Sequence, residues 1–211
     1  MKKEYYQDDS VTLYHGDCLE IMPELNGLYD CIVTDPPYGC SATTGWGGKY
    51  DKFKIHGDND TVLRDFIIES WRGDMIMFGS PRIERPKNTT LLIWDKGEHT
   101  GMGDLSFPWK PNFEEIYIFG KGFSGARTSS VLRYNADTSS NRLHPTEKPI
   151  SLMCELISKC NGKAILDPFA GSGTTGRAAK DLGRKCVMIE KDERYCEIAA
   201  NRMKQEVLGI W

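Results

Sequence analysis

The Asp35-Pro36-Pro37-Tyr38 tetrad holds the residue types and spacing in this 211-residue chain that are best suited to chemistry. Consecutive prolines fix two φ angles and remove two N–H donors, so the peptide oxygens are rigid and can accept hydrogen bonds. The Asp35 carboxylate and the Pro36 carbonyl can each accept one N–H bond of an amine attached to a base ring, which draws the nitrogen toward tetrahedral geometry. Tyr38 offers a face for that ring, a stacking contact worth about 1–3 kcal/mol. The tetrad therefore predicts chemistry on the amine of a nucleobase, and its alternative is a structural proline turn.

A glycine turn follows a second apolar run. Ala164-Ile165-Leu166 leads into Asp167-Pro168-Phe169-Ala170-Gly171-Ser172-Gly173-Thr174-Thr175, and a helix is predicted to begin near Thr174. Such a turn lets the backbone approach a ligand and directs helix N–H groups toward it. Glu190 ends the next strand, at the distance where a carboxylate can accept hydrogen bonds from ribose hydroxyls. The segment predicts a cofactor site that includes a nucleoside.

The ligand of this turn has two interpretations. Gly171-x-Gly173-x-x-Gly176 also matches the dinucleotide fingerprint, which would imply a nicotinamide or flavin cofactor. Against that interpretation, Asp167 places a negative charge beside the position of a pyrophosphate. A carboxylate suits a cationic ligand better, and the sulfonium and ammonium groups of S-adenosylmethionine meet that requirement.

The glycine-turn segment supplies only two strands, so the rest of its sheet must come from the N-terminal half. Asp17 follows the first predicted strand at its carboxyl end, where open parallel sheets bind ligands. We expect Asp17 to accept a hydrogen bond from the adenine amine of the cofactor. The alternative is that Asp17 caps a helix predicted over Leu19–Leu25.

Short apolar runs alternate with helix-like stretches, which predicts an α/β fold with a parallel sheet and helices on both faces. The predicted strands are Val11–His15, Cys31–Thr34, Met75–Phe78, Leu91–Trp94, Ile116–Phe119, Ala164–Leu166 and Cys186–Ile189. The longer predicted helices are Asp60–Trp71, Ile150–Lys159, Thr175–Leu182 and Glu193–Leu208. Gly39–Lys54 and Lys121–His144 lack a regular pattern and are interpreted as substrate-facing loops.

Composition excludes several classes of protein. The chain has 27% charged and 39% hydrophobic residues, which is typical of a globular protein and not of a disordered one. No apolar run approaches the roughly 20 residues that a membrane span needs, and the N-terminus lacks the apolar core of a signal peptide. The seven cysteines are scattered without zinc-ligand spacing, which predicts a reduced, cytoplasmic compartment and no metal.

The two motifs and their order resemble the DNA amino-methyltransferases, specifically the permuted group in which a DPPY motif precedes the cofactor motif. His144-Pro145-Thr146-Glu147-Lys148-Pro149 resembles the family segment that leads into the first helix and helps hold the methionine part of the cofactor. The resemblance extends from Tyr5 to Ala200. It implies a doubly wound, mostly parallel, seven-stranded sheet of the S-adenosylmethionine-dependent methyltransferase type, circularly permuted. The expected organisation is one domain, with a catalytic half at 1–120, a target-recognition loop at 121–143 and a cofactor-binding half at 144–211.

The resemblance implies roles for individual residues. The base-orienting tetrad is Asp35, Pro36, Pro37 and Tyr38, and Asp35 also borders the cofactor. The other expected cofactor contacts are Asp17, Cys18, His144, Thr146, Lys148, Asp167, Phe169, Ala170, Gly171, Gly173, Thr174, Glu190 and Lys191. Within this set, the resemblance places Thr146 and Lys148 on the cofactor carboxylate.

Double-stranded DNA is the partner that the resemblance implies. The net charge of −3 argues against a generic nucleic-acid coat, but basic residues cluster locally. The segment around Trp46–Tyr50 is a candidate for closing over a flipped base. The residues predicted to contact DNA are Trp46, Lys49, Tyr50, Arg82, Arg85, Lys121, Arg127, Arg133 and Arg142.

The activity expected from the resemblance is adenine-N6 methylation of DNA, because family members with Asp at the start of the tetrad are mostly adenine enzymes. Cytosine-N4 methylation is the alternative with the same chemistry, and a protein glutamine or an RNA amine is another substrate to be weighed. An alternative from another class is a catalytically silent DNA-binding module. No Pro-Cys pair occurs, so carbon-5 cytosine methylation lacks its thiol nucleophile.

The chain offers only short loops for target recognition, whereas larger family members carry a sizeable insert. The recognised DNA site is therefore expected to be short or loosely defined, or to be specified by a second subunit of a homodimer. The compact size resembles solitary bacterial or phage enzymes, and a restriction-modification partner is left open.

Overall fold

The computed structural model describes residues 3–37, 61–97, 106, 108–110, 112–136 and 147–205. The strands in these ranges are β1 (Tyr6–Gln7), β2 (Val11–His15), β3 (Cys31–Thr34), β4 (Asp74–Gly79), β5 (Thr90–Asp95), β6 (Phe113–Phe119), β7 (Val131–Arg133), β8 (Ala164–Asp167) and β9 (Lys185–Glu190). The α-helices are α1 (Cys18–Ile21), α2 (Val62–Ser70), α3 (Ile150–Ser158), α4 (Thr174–Asp181) and α5 (Glu193–Met203). A short 3₁₀ helix, Met22–Leu25, continues α1.

The strands form one sheet in the order β1-β2-β9-β8-β3-β4-β6-β5-β7. β2, β9, β8, β3 and β4 are mutually parallel, whereas β6 runs antiparallel to both of its neighbours. The chain proceeds outward from β3 to β4 and, in the opposite direction, from β8 to β9. The strand order therefore reverses between β3 and β8, and open α/β sheets bind ligands outside the carboxyl ends of the strands at such a point.

Helices cover both faces of the sheet. On one face α3, α4 and α5 pack on the strands through side chains such as Leu152, Ala178 and Ala199. On the other face α1, the 3₁₀ helix and α2 pack through Ile21, Leu25 and Ile67. Burial on both faces explains why β3 has no exposed residue and reads as a continuous apolar run.

All seven predicted strands are present, and with them the predicted fold class. The prediction of seven strands is nevertheless wrong in number, because β1 and β7 extend the sheet to nine among the described residues. These strands have two and three residues and lie at the two edges of the sheet. Segments this short are too brief to show a recognisable alternation of polar and apolar residues. β7 also lies within the segment Lys121–His144 that the sequence analysis interprets as a loop.

The predicted helices are confirmed with shifted ends. α2 begins at Val62 rather than Asp60, and α4 begins at Thr174. β6 begins at Phe113 rather than Ile116, which adds Glu114 and Glu115 to the strand. None of the helices in the described ranges combines the length and the apolar character that crossing a membrane requires.

Candidate active site

The two sequence motifs lie side by side because β3 and β8 are adjacent parallel strands. Asp35 follows β3 directly, and Asp167 is the last residue of β8. The hydroxyl of Thr34, which ends β3, donates a hydrogen bond to Asp167 Oδ1 at 2.8 Å. The start of the tetrad and the start of the glycine turn are therefore linked directly, at the point where the strand order reverses.

Asp167 is buried at the beginning of the glycine turn, with 3% of its surface exposed. Besides the Thr34 hydroxyl, the backbone N–H of Phe169 donates to Asp167 Oδ1 at 3.1 Å. Burial raises the pKa of Asp167 to about 6, and the Asp35 carboxylate adds to the rise while the hydrogen bonds from Thr175, Thr34 and Phe169 oppose it. The carboxyl is therefore mostly ionised at pH 7. A buried negative charge at this position agrees with the expectation of a cationic ligand.

The backbone of the glycine turn is open to a ligand at Gly171. This residue has a φ of +51°, and among the residues that the structure describes no heavy atom beyond its chain neighbours lies within 4 Å of the position that a Cβ would take. At Gly173, by contrast, a Cβ would stand 2.9 Å from the Ala199 Cβ, so a glycine is needed for packing against α5. The first glycine thus leaves space for a ligand, and the second lets the turn approach the neighbouring helix.

Glu190 ends β9 and is fixed beside this turn. Its Oε2 accepts a hydrogen bond from the Gly171 N–H and its Oε1 one from the Asp192 N–H, each at 2.8 Å. Burial raises the pKa of Glu190, and these backbone hydrogen bonds act in the opposite direction. The carboxylate therefore has a fixed orientation next to the open backbone of Gly171, and its contact with a ribose stays a prediction.

Asp17 lies at the carboxyl end of β2, next to β9. Its Oδ1 accepts a hydrogen bond from the Leu19 N–H at 3.0 Å, so the predicted alternative of a helix cap is confirmed. Its Oδ2 forms an ion pair with Lys191 Nζ at 2.8 Å. Cys18 follows in the first turn of α1, where burial raises the pKa of its thiol to about 12. The structure thus brings Asp17, Cys18, Glu190 and Lys191 to one corner of the site.

Lys148 lies beside the first residue of the tetrad, at the same edge of the sheet. Its ammonium forms an ion pair with the Asp35 carboxylate and lies 3.3 Å from Glu114 Oε2. Burial opposes the positive charge of Lys148, but Asp35 and Glu114 outweigh this effect and raise its pKa. Glu114 is a residue that the sequence analysis missed, because the predicted strand began after it. Two acidic residues directly ahead of an apolar run were the available signal.

Arg202 is a second residue that the sequence analysis missed. Its Nη1 donates to the Thr174 hydroxyl at 2.9 Å and to the Ser172 carbonyl at 3.2 Å, and its Nη2 forms an ion pair with Glu147. The guanidinium therefore connects the glycine turn to the residue that precedes Lys148. An arginine among the apolar residues of α5 was the signal in the sequence.

The predicted DNA contacts have different surroundings. Arg82, Lys121 and Arg127 are exposed. Arg133 is also exposed and lies 3.6 Å from Asp95 in an ion pair. Arg85 instead binds the buried carboxylate of Glu115, with Nε at 2.9 Å from Oε2. The remaining predicted site residues, which lie outside the described ranges, are Tyr38, Trp46, Lys49, Tyr50, Arg142, His144 and Thr146.

The described residues fit S-adenosylmethionine better than they fit a metal. A ligand can reach the Gly171 backbone, a fixed carboxylate at Glu190 can accept from hydroxyls, and the carboxyls of Asp35 and Asp167 give this edge negative charge. In the described part of the chain, no three His, Cys, Asp or Glu residues are grouped as a metal ion would require. The remaining predicted residues nearby, Phe169 and Ala170, belong to the same turn.

A doubly wound, mostly parallel sheet with the antiparallel strand β6 toward one edge and a glycine turn at the switch point defines the S-adenosylmethionine-dependent methyltransferase type of fold. A family model described as DNA methylase matches residues 80–201, which is more than half of the chain. The chain belongs to this DNA methylase family. Membership confirms the resemblance found in the sequence, and with it an S-adenosylmethionine-dependent DNA methyltransferase class.

Individual relatives agree with this assignment. The chain is 28% identical to the Type II methyltransferase M.HinfI of Haemophilus influenzae, in an alignment that covers 97% of this chain and 71% of that protein. Among solved structures, the M1.HpyAVI-SAM complex superposes with a TM-score of 0.65 at 24% identity, covering 91% of this chain and 99% of that one. The cytosine-N4-specific PvuII DNA methyltransferase gives a TM-score of 0.72 at 16% identity, in a superposition that covers 99% of this chain and 91% of that one. These two structures support the fold.

Proposed function

We propose that the chain is a DNA adenine-N6 methyltransferase that transfers a methyl group from S-adenosylmethionine to the amine of an adenine flipped out of the duplex. The observation that carries this proposal is the position of Asp35 at the end of β3, beside Asp167 and the glycine turn. Adenine is favoured because, in the family that the sequence resembles, Asp at the first tetrad position occurs mostly in adenine-N6 enzymes.

The cofactor contacts are proposed from the residues around the turn. S-adenosylmethionine supplies an electrophilic methyl group on a sulfonium, and the M1.HpyAVI-SAM complex shows a protein of the same fold with this ligand. Glu190 would accept from the ribose hydroxyls, because its carboxylate is already oriented beside Gly171. Asp17 and Lys191 would border the adenine, since they lie next to Glu190 across β2 and β9.

The tetrad would prepare the target nitrogen for attack. The Asp35 carboxylate and the Pro36 carbonyl each accept one N–H bond of the amine, so its lone pair points toward the methyl group. The new N–C bond forms as the S–C bond breaks, the bonding electrons remain on sulfur, and one amine proton is released. Holding the reactants in this alignment can lower the barrier by about 7–11 kcal/mol.

Duplex DNA must open for this geometry, because a stacked base cannot be approached from both sides. Flipping costs a few kcal/mol, and phosphate contacts from exposed basic side chains would offset that cost. Arg82, Lys121 and Arg127 are exposed and suited to this role. A role in site-specific modification beside a restriction enzyme is supported by the Type II name of M.HinfI. A second copy of the chain would be a source of further contacts to the DNA site.

Mass spectrometry of nucleosides tests the proposal. Unmodified duplex DNA is incubated with the purified chain and S-adenosylmethionine, then digested, and N6-methyladenine is the expected product. Asp35→Ala should still bind the cofactor but transfer methyl groups about 100-fold more slowly, because the amine loses its alignment. N4-methylcytosine would move the proposal to cytosine. Undiminished transfer by Asp35→Ala would remove the tetrad from the mechanism, and DNA binding without any product would favour a silent binding module.

A further inference from the structure

Four charged side chains of alternating sign meet at the carboxyl ends of β3, β4 and β5. Lys96 forms an ion pair with Glu114, Glu114 lies 3.3 Å from the Lys148 ammonium, and Lys148 forms an ion pair with Asp35. Because β6 is antiparallel to β4 and β5, its first residues reach the same edge as the end of β3. Residues far apart in the sequence thus form one continuous chain of charges that ends on the tetrad.

The Lys148 ammonium is the buried centre of this chain of charges. The residue is 6% exposed, and its Nζ lies 4.9 Å from the centre of the Phe78 ring and 6.0 Å from that of Trp94. Both rings are themselves buried, so they restrict where the ammonium can lie. A buried charge is costly unless it is paired, and here carboxylates and ring faces compensate it. The lysine is therefore held in place before any ligand arrives.

Lys148 also offsets a repulsion within the site. Asp35 follows β3 and Asp167 ends the adjacent strand β8, and the Asp35 charge disfavours ionisation of Asp167. An ammonium on Asp35 Oδ2 reduces the net negative charge at this point and fixes the rotation of the carboxylate. Catalysis by alignment depends on such fixed orientation of the groups that contact the substrate.

We propose that Lys148 is a positioning residue for Asp35, and that Glu114 acts through Lys148 by holding its ammonium. This inference rests on the proposed function, in which Asp35 accepts a hydrogen bond from the target amine. It assigns Lys148 to the catalytic side of the site, whereas the sequence resemblance placed Lys148 on the carboxylate of the cofactor. Lys96 completes the arrangement, because its ammonium forms a second ion pair with the Glu114 carboxylate.

A double-mutant cycle in kcat tests the chain of contacts. The cycle uses Lys148→Met, Glu114→Gln and the double variant, with labelled methyl transfer to DNA at saturating substrate and a calorimetric Kd for S-adenosylmethionine. We expect Lys148→Met to lower kcat about 100-fold, as expected for a misplaced group, with the Kd unchanged. Glu114→Gln should lower kcat by a smaller factor than Lys148→Met does. Its effect should vanish in the Lys148→Met background, because two residues that act through one contact are not additive.

Lys180→Met is the matched control, since Lys180 is also a lysine paired with a carboxylate, although it is half-buried rather than buried. Its Nζ lies 2.6 Å from Asp8 Oδ2, in the last turn of α4 and away from the carboxyl ends of the strands. We expect this variant to keep the wild-type kcat. If Lys148→Met does not fold, Glu114→Gln alone decides, because it keeps the shape of the side chain and should still lower kcat at an unchanged Kd.

Three results would overturn the inference: a raised Kd with unchanged kcat in Lys148→Met, multiplicative effects of the two substitutions, or an unchanged kcat in Glu114→Gln. The first would return Lys148 to the cofactor carboxylate. The assay counts methyl groups on any base, so a choice of cytosine over adenine does not affect it. A wild-type protein that transfers no methyl group to DNA would refute the proposed function instead.

Discussion

Arg82 and Arg85 belong to one basic cluster in the sequence, but they have different partners in the fold. Arg82 is exposed, and the structure places its backbone N–H, at 3.3 Å, on the Ser80 hydroxyl. Arg85 donates from Nε to both carboxylate oxygens of Glu115, a residue with no exposed surface. Burial opposes ionisation of Glu115, but the Arg85 and Tyr117 hydrogen bonds outweigh it and lower its pKa. One arginine is therefore available to DNA, whereas the other neutralises a buried charge.

We expect Arg82→Ala and Arg85→Ala to separate DNA affinity from stability. Arg85→Ala should lower Tm by roughly 2–4 °C, because it leaves the buried Glu115 charge without its cation. Arg82→Ala should leave Tm unchanged and weaken DNA binding, with a shallower dependence of affinity on salt. Thermal melts and fluorescence anisotropy at several salt concentrations measure both effects.

The combination Arg85→Ala with Glu115→Gln is the control for this pair. Removing the charge of Glu115 should restore most of the lost Tm, since the amide can still accept a hydrogen bond from the Tyr117 hydroxyl, which lies 2.7 Å from Oε2 in the wild type. If Arg85→Ala melts like the wild type and loses DNA affinity instead, the original prediction of a DNA contact is correct.

At the scale of elements, α5 holds two parts of the cofactor half together. Arg202 on α5 bonds Ser172 and Thr174 in the glycine turn and pairs with Glu147 ahead of α3. The turn that carries Gly171 is therefore held in place by hydrogen bonds from α5, a helix that comes later in the sequence. A brace of this kind should matter to ligand affinity, because it limits the conformations that the turn can adopt.

Arg202→Met should weaken S-adenosylmethionine binding about 10-fold, which corresponds to about 1.4 kcal/mol. Arg177→Met is the matched control, because Arg177 and Arg202 are each 9% exposed. The Arg177 guanidinium pairs with Asp181 and donates to the Gln205 carbonyl at 2.8 Å, so these side-chain contacts join α4 to the residues just after α5. Calorimetric titration should show a raised Kd for Arg202→Met alone. Equal Kd values for the two variants would show that the brace does not affect the cofactor.

The sequence predicts elements well and their side-chain partners poorly. The strands β3, β4 and β8 could be predicted because a strand that is buried on both faces has a continuous run of apolar residues. The partners of Lys148 lie on the loop after β3 and on β6, and no local pattern encodes contacts across such separations. Asp35 and Asp167 could be identified because each lies at the end of an apolar run. The end of such a run marks the carboxyl end of a parallel strand, which is where open α/β sheets bind ligands.

For the whole molecule, carboxyls whose pKa values differ between the folded and unfolded chain make stability depend on pH. The pKa values of Asp8, Asp30 and Glu115 are lowered in the folded chain, so these groups stabilise it above their ordinary pKa and lose that effect on acidification. Asp167 acts in the opposite direction, because burial raises its pKa from 3.8 to about 6. Between these two values the folded state binds more protons at Asp167 than the unfolded state does. This contribution to stability is therefore present at low pH and is lost as the pH rises through about 6.

Asp167→Asn should be more stable than the wild type at pH 7.5 by up to about 3 kcal/mol, and this difference should shrink toward pH 4.5. An asparagine keeps an oxygen for the Thr34 hydroxyl and the Phe169 N–H but carries no buried charge. Urea unfolding of both proteins at several pH values measures the difference, and the comparison cancels the contributions of Asp8, Asp30 and Glu115. The same variant should bind S-adenosylmethionine more weakly, since the cation loses a nearby carboxylate. A stability difference that is independent of pH would mean that Asp167 titrates as an ordinary exposed carboxyl, and the site would then lack the buried charge that suits a sulfonium.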